Sequence, residues 1–388
     1  QRLMPDRCDL AVMQQGRVLA EGPPFQPGRV VCNLPGYQLL DSLAVEAGGK
    51  VCVATIINGG ITAANLDFYR TRPARTRPYF DRFVLRTYPD TSGALMALAR
   101  GDLDGVSGIS SEDAERARAL RSVAVYSYPT NDYTALFLNV RPERAVLRER
   151  AVRQAIATAV DRGRVLAVAI DGRGQVADSL VPRTSWAYPA ALHKYERSVT
   201  EAQAMLEGAG WKDSDGDGVR DKGGLALRIS LATSDEPARL NAAEQIAHDL
   251  RLVGIEARLE VKPFDQLVDT VARPRAFDVL LVGITSTPDP DPYPFFHSSQ
   301  SKDPGFNFSG FSTLPLDRNL EAARKAGDRE ARKALFEPVL QTIATEVPVV
   351  FLYFSDHLYA QHVSIKGLKI AQIIAPSQRV WNVEDWYV

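Results

Sequence analysis

The stretch from Leu225 to Ile284 leaves this chain few ways to fold. Leu225 to Thr233 is β-rich, and Pro237 opens an amphipathic helical pattern that ends near Gly254. Ile255 to Val261 then alternates as a strand does, Phe264 to Ala272 reads as a helix, and Val279 to Ile284 is apolar throughout. That last run is too short for a helix, is rich in β-branched residues and is followed by prolines, so it predicts a strand buried on both faces. Strand, helix, strand, helix, strand at this spacing means consecutive right-handed crossovers in a parallel sheet, and so an α/β fold. In open α/β sheets, ligands bind just outside the carboxyl ends of the strands. The candidates for ligand binding are therefore Gly283, Thr285, Ser286, Asp289 and Asp291, in a segment stiffened by Pro288, Pro290, Pro292 and Pro294. The strand edge from Gly283 to Ser286 offers main-chain hydrogen bonds to an extended peptide, and Asp289 or Asp291 offers a charge to a cationic group.

At 388 residues the chain has room for two or three domains, each with its own core. Its 46 lysines and arginines nearly cancel its 47 aspartates and glutamates, which argues against nucleic acid as a partner. The arginines between Arg70 and Arg86 read as a solvated surface. No apolar run approaches the length of a membrane span. Cys8, Cys32 and Cys52 crowd one end and do not suggest a disulfide framework. Gln1 follows no initiator Met and no charged-then-apolar leader, so the reading expects either a removed targeting segment or a fragment.

Elsewhere the punctuation is clear. Residues 10–64 read as β-structure broken by turns at Pro35-Gly36, Gly48-Gly49 and Asn58-Gly59-Gly60. Tyr79 to Tyr88 contains a predicted strand, and Asp90 caps a helix that stops at Gly101. Val123 to Tyr128 and Tyr133 to Asn139 are predicted as separate strands. Helices follow over Glu149 to Val160, after the capping box Ser198 to Glu201, over Leu316 to Lys325 and over Arg329 to Thr345. Val347 to Phe354 closes the series as a strand.

The run from Leu40 to Ala54, ending in Asn58-Gly59-Gly60, resembles one blade of the gluconolactonase/senescence-marker-protein family of β-propellers. The resemblance implies that Asp41 stands where that family places a ligand of its catalytic divalent metal. It covers about the first sixth of the chain, and a propeller needs at least four blades. A relic, with Asp41 an ordinary turn aspartate, is the favoured reading.

From Phe68 onward the chain resembles the extracellular solute-binding proteins of ABC importers, family 5, whose members bind oligopeptides, dipeptides or nickel. The matching pieces are Arg77 to Arg82, Ala97 to Asp104, Arg150 to Ile156 with Val160-Asp161-Arg162, and Ala209-Gly210-Trp211. Phe277 to Leu281, Asn307 to Phe311 and Trp381 to Trp386 complete them in order. The resemblance implies a two-lobed, type II periplasmic-binding-protein-like fold. Lobe I would comprise residues 66–141 and 349–388 and be incomplete, the second lobe residues 142–348, and residues 1–65 the preceding propeller-like segment. It further implies capture of a peptide or small solute by hinge closure, docking on an ABC permease in the membrane, a monomer, and a periplasmic or extracellular location. Peptide-binding members carry an Asp after the central strand that pairs with the ligand's amine; Pro288 stands there, with Asp289 beside it. Trp186 and Tyr188 supply amphipathic surface for a ligand, or else core packing, and Tyr133 and Tyr353 fall near the two expected hinge crossings. The alternatives are a metal-dependent lactone hydrolase, which would need partners for Asp41, and a fused product without intact activity.

No cofactor is expected. Asp213, Asp215 and Asp217 alternate like the start of a calcium loop, but Gly224 stands where an EF-hand requires its bidentate Glu. An Asp/Gly-rich turn is the favoured reading of 213–221, with a structural calcium ion as the alternative. The five histidines show no paired spacing for zinc, no Gly-x-Ser-x-Gly elbow occurs, and no glycine-rich phosphate loop follows a strand.

Overall fold

The structure is a computed structural model that describes residues 9–14, 17–21, 32–33, 43–46, 54–57, 60–63, 84 and 86–388, except 286 and 288. Before residue 64, and at Glu384, the backbone alone is described. In chain order the strands are β1 (Asp9–Gln14), β2 (Arg17–Glu21), β3 (Cys32–Asn33), β4 (Leu43–Glu46), β5 (Ala54–Ile57), β6 (Gly60–Ala63), β7 (Gly105–Ser107) and β8 (Val123–Leu138). After them come β9 (Gly174–Val176), β10 (Asp221–Lys222), β11 (Leu225–Ala226), β12 (Arg228–Ser234), β13 (Glu256–Lys262), β14 (Val279–Ile284) and β15 (Val349–His362). The α-helices are α1 (Thr91–Arg100), α2 (Ser111–Arg118), α3 (Ala145–Arg148), α4 (Arg150–Ala159), α5 (Arg162–Ile170), α6 (Val199–Gly208), α7 (Pro237–Arg251), α8 (Phe264–Leu267), α9 (Tyr293–Phe296), α10 (Leu314–Lys325) and α11 (Arg329–Glu346).

The chain divides into two compact units, one of residues 1–128 and 357–388, the other of residues 129–356. In the first, β2-β1-β4 and β3-β6-β5 form two three-stranded antiparallel sheets. The strand expected around Phe83 to Thr87 is not formed at the described positions 84 and 86–88, which have no ladder partner. Asp90 does cap α1, accepting from the Gly93 amide at 2.7 Å, and Gly101 ends it at φ +81°, a conformation that costs glycine little. The end of β15 pairs with β7, Tyr359 opposite Ser107, over a core of Leu95, Leu98, Val106 and Leu358. His357 Nε2 lies 2.7 Å from Ser107 Oγ, and burial, aided by Arg379, holds the imidazole down at about 4.

The second unit contains the crossovers that the sequence predicts. β12 pairs in parallel with β13 (Leu231 opposite Leu259) and with β14 (Leu231 opposite Val279). The sheet is mixed, however, because β14 runs antiparallel to β8 from Val279–Leu138 out to Ile284–Tyr133. Val279, Leu280 and Leu281 are buried on both faces, against Ile246 and Leu250 on one side and Phe277, Leu320 and Phe336 on the other. Removing apolar area of this kind from water contributes about 25 cal/mol per Å². The two strands predicted around Tyr128 and Tyr133 are one strand, β8, running through Pro129, and β15 extends eight residues beyond Phe354, to His362. Both pass from one unit into the other. The helix expected over Phe264 to Ala272 is an α-turn continued by a π-turn over Val268–Ala272.

Candidate functional site

β12 ends at Ser234, where the chain turns through Asp235 and Glu236 into α7, while β14 runs on to Ile284. The β12-side ladder of β14 stops at Ala232–Leu280, so past Leu281, whose carbonyl accepts from Thr233 Oγ1 at 3.1 Å, that edge has no strand beside it among the described residues. A cavity of about 200 Å³ opens there. Its floor is Val282 to Thr285, and one wall is Asp132, Tyr133 and Thr134 of β8 with Ser355 of β15. Ser234, Glu236 and Arg239 form the other wall, and Phe264 and Leu267 of α8 close the side.

Arg239 dominates the cavity. Its Nη1 donates to the buried Tyr353 hydroxyl at 2.9 Å, and its Nε stands 3.8 Å from Glu236. A Cβ on Gly283 would fall 2.2 Å from Nη2, so the missing side chain at 283 is what lets the guanidinium lie on the strand. Tyr133 is buried edge-on against Phe351, ring centroids 5.5 Å apart, and burial alone pushes its hydroxyl pKa well above the ordinary range.

The family described as bacterial extracellular solute-binding proteins, family 5, middle region, matches residues 61–307, more than half of the chain. The chain belongs to that family. A relative within it, the oligopeptide-binding protein AppA of Bacillus subtilis (strain 168), is 29% identical over 329 residues, covering 84% of this chain and 58% of its own length. The nickel-binding periplasmic protein of Escherichia coli (strain K12) is 26% identical over 279 residues, covering 70% and 52%. This family-5 chain thus spans roughly half to three-fifths of these relatives' length. The structure of Bacillus subtilis AppA in complex with a nonapeptide superposes with a TM-score of 0.65 at 28% identity, covering 89% of this chain and 67% of that one. NikZ from Campylobacter jejuni in complex with Ni(L-His) gives 0.66 at 23%, covering 88% and 68%. The fold is that of type II periplasmic binding proteins. No described helix of this family member is long and apolar enough to cross a membrane.

The residues singled out from the sequence fall into three groups. Tyr133, Gly283 and Thr285 line the cavity, and Tyr353 holds Arg239 from beneath. Tyr188 lines a second cavity of about 330 Å³ with Gln175, Asp178, Arg183 and Phe354. The carboxylate there, Asp178, is buried and met by Arg183 at 2.5 Å, Arg162 at 3.3 Å and Lys194 at 3.5 Å. Trp186, Asp289 and Asp291 are engaged elsewhere. Asp289 pairs with Arg332 at 2.8 Å, and the same guanidinium lies 6.0 Å from the Trp186 ring, which packs on Phe336. Asp291 accepts from Arg324 at 2.7 Å and from the Tyr293 amide at 3.0 Å, with Arg324 stacked 3.6 Å over the Tyr293 ring. Ser286 and Asp41 lie outside the described residues.

The carboxylates of Asp213, Asp215 and Asp217 converge within 4.8 Å, exposed to solvent. They already accept backbone amides: Gly216 and Gly218 donate to Asp213 at 2.8 and 3.0 Å, Asp217 to Asp215 at 3.2 Å and Val219 to Asp217 at 2.7 Å. Arg228 adds a bond to Asp217 at 3.0 Å. Such bonds are those of an Asp/Gly-rich turn.

Arg239 escaped the sequence reading, although a signal was present. A cation in the first turn of a helix opposes the helix dipole, and Arg239 sits two residues after Pro237.

Proposed function

We propose that this chain is the solute-capturing component of an ABC import system: non-enzymatic, monomeric, and working in the periplasm or outside the cell against a membrane permease. Its ligand is a peptide or a related small solute. The observation that carries this reading is the cavity beyond Ser234, where a strand edge without a neighbouring strand among the described residues meets polar side chains in a member of a solute-binding family. An extended ligand adds hydrogen bonds along Val282 to Thr285, as a further strand would. The chain crosses between its units inside β8 at Tyr128–Pro129 and inside β15 at Asp356–His357, and we place the hinge of a closing movement there. No resident cofactor belongs to this reading, and the loop at 213–221 is a self-satisfied turn.

Native mass spectrometry of the purified chain, followed by thermal shifts against a tripeptide library, tests the proposal. A ligand present at a hundred times its dissociation constant stabilises the folded state by about 2.7 kcal/mol. A co-purified solute, or an added peptide that raises both mass and melting temperature, is the expected result; no co-purified solute together with a library that changes neither removes the reading.

A further inference from the structure

Beyond that reading, we infer that the second cavity, beside β9, is a binding site for a small carboxylate with an apolar body. At about 330 Å³ it falls within the size range of small-molecule pockets. It lies where β9 pairs with β15, Val176 opposite Tyr353 and Gln175 opposite Phe354. Val176, Val181, Phe354 and the Tyr188 ring give it apolar walls, and Val176 is 38% exposed. Two charged side chains line it, Asp178 and Arg183.

The charges there do not balance. Asp178 meets Arg162 through Oδ1 at 3.3 Å, and through Oδ2 it meets Arg183 at 2.5 Å and Lys194 at 3.5 Å. One carboxylate thus answers three cations, and both of its oxygens are engaged before any cationic ligand arrives. Arg162 by itself fastens the chain at this point, because its Nη1 also donates to the Ala177 carbonyl at 3.2 Å. Arg183 is surplus to that task. Its side chain is 63% exposed and spends only Nη2 on Asp178, so Nε and Nη1 have no acceptor among the described residues. The Tyr188 hydroxyl is shielded from solvent without a hydrogen-bond partner, an arrangement that costs stability, and lies close enough to Arg183 to favour the guanidinium's charge. An incoming carboxylate answers both groups. It accepts from the planar fork of Arg183 and from the Tyr188 hydroxyl, while its apolar body rests on Val176, Val181 and Phe354.

The test uses phenylacetate as the probe and phenylacetamide as its neutral counterpart. Each is titrated into the full chain while valine methyl resonances are followed by NMR, those of the cavity being assigned through Val176→Ile and Val181→Ile. Phenylacetate is expected to shift these two resonances and to bind about tenfold more tightly than the amide. The gap should fall below about twofold in Arg183→Gln, whereas Asp178→Asn, which removes the competing negative charge, should tighten phenylacetate binding about threefold. No binding of phenylacetate, equal binding of acid and amide, or a preference that survives Arg183→Gln overturns the inference. Weaker binding in Asp178→Asn, or shifts at Val282 of the first cavity in place of Val176 and Val181, does the same. Should Arg183→Gln fail to fold, Tyr188→Phe removes one donor and no charge; a several-fold loss of phenylacetate affinity is expected, and an unchanged affinity overturns the site. None of these probes is a peptide, so the import reading stands or falls separately.

Discussion

Two polar regions lie close together in sequence along and after β14, and they behave oppositely. In the cavity beside Val282 to Thr285, Arg239 keeps a terminal nitrogen without an acceptor among the described residues, and hydroxyls and two carboxylates, Asp132 and Glu236, share the lining. A few residues on, Asp289 and Asp291 are each met by an arginine from the helices behind them. A sequence displays charges but not their partners, and so the aspartates attract attention that the arginine deserves more. A charged residue can bind solute where the fold leaves part of its hydrogen-bonding capacity unanswered. Where an internal ion pair completes it, the same residue type holds a loop in place.

Phe277, fully buried where the chain enters β14, supports both regions, and Phe277→Ala is expected to lower stability by about 3–5 kcal/mol in denaturant unfolding, with ligand binding lost alongside. A smaller effect comes from His357 in the other unit. Its pKa is lowered to about 4 in the folded state, so below its ordinary value the unfolded chain binds the proton more readily. The stability gained from keeping His357 neutral is complete above about pH 6.5 and is lost as the pH falls towards 4, up to about 3 kcal/mol. Replacing it, as His357→Gln, should flatten that part of the pH–stability curve; an unchanged slope would assign the effect elsewhere.

Asp291→Asn separates the two regions directly. The carboxylate is 14% exposed and paired with Arg324, so a loss of about 1 kcal/mol is expected with tripeptide affinity unchanged within about twofold. Asp289 is 52% exposed, and Asp289→Asn should cost less than about 0.5 kcal/mol. A tenfold fall in affinity from either variant would show that the contrast has been drawn in the wrong place. The smallest effect is expected at 213–221, where adding millimolar calcium should leave the melting temperature unmoved; a saturable rise abolished by Asp215→Asn would make the loop an ion site.

Much of the scaffold could be read from residue order. Val279 to Ile284 occupies the predicted span because nothing local competes with a β-branched run bounded by polar turns. Ser198 and Asp90 cap their helices through the side-chain oxygens the sequence displays. What stayed hidden depends on distance along the chain. Pro129 suggests a break, yet β8 continues through it, because its ladder with β14 runs from Tyr133 to Leu138 and does not need that amide. The antiparallel addition of β8 to a parallel set could not be inferred from the crossovers. Among the residues that line the cavity, Gly283 and Thr285 could be read from their place at the end of a buried strand. Arg239 acquires its position only when α7 folds back over β14.

Positions 239 and 283 are bound together by the volume they share. A guanidinium occupies the space a side chain at 283 would need, so 283 cannot be enlarged while Arg239 keeps its place. Enlarging 283 evicts the cation, whereas shortening 239 first would open room for a bulkier, apolar floor. Any redesign of this cavity towards neutral solutes must therefore alter the two sites as one, and in that order.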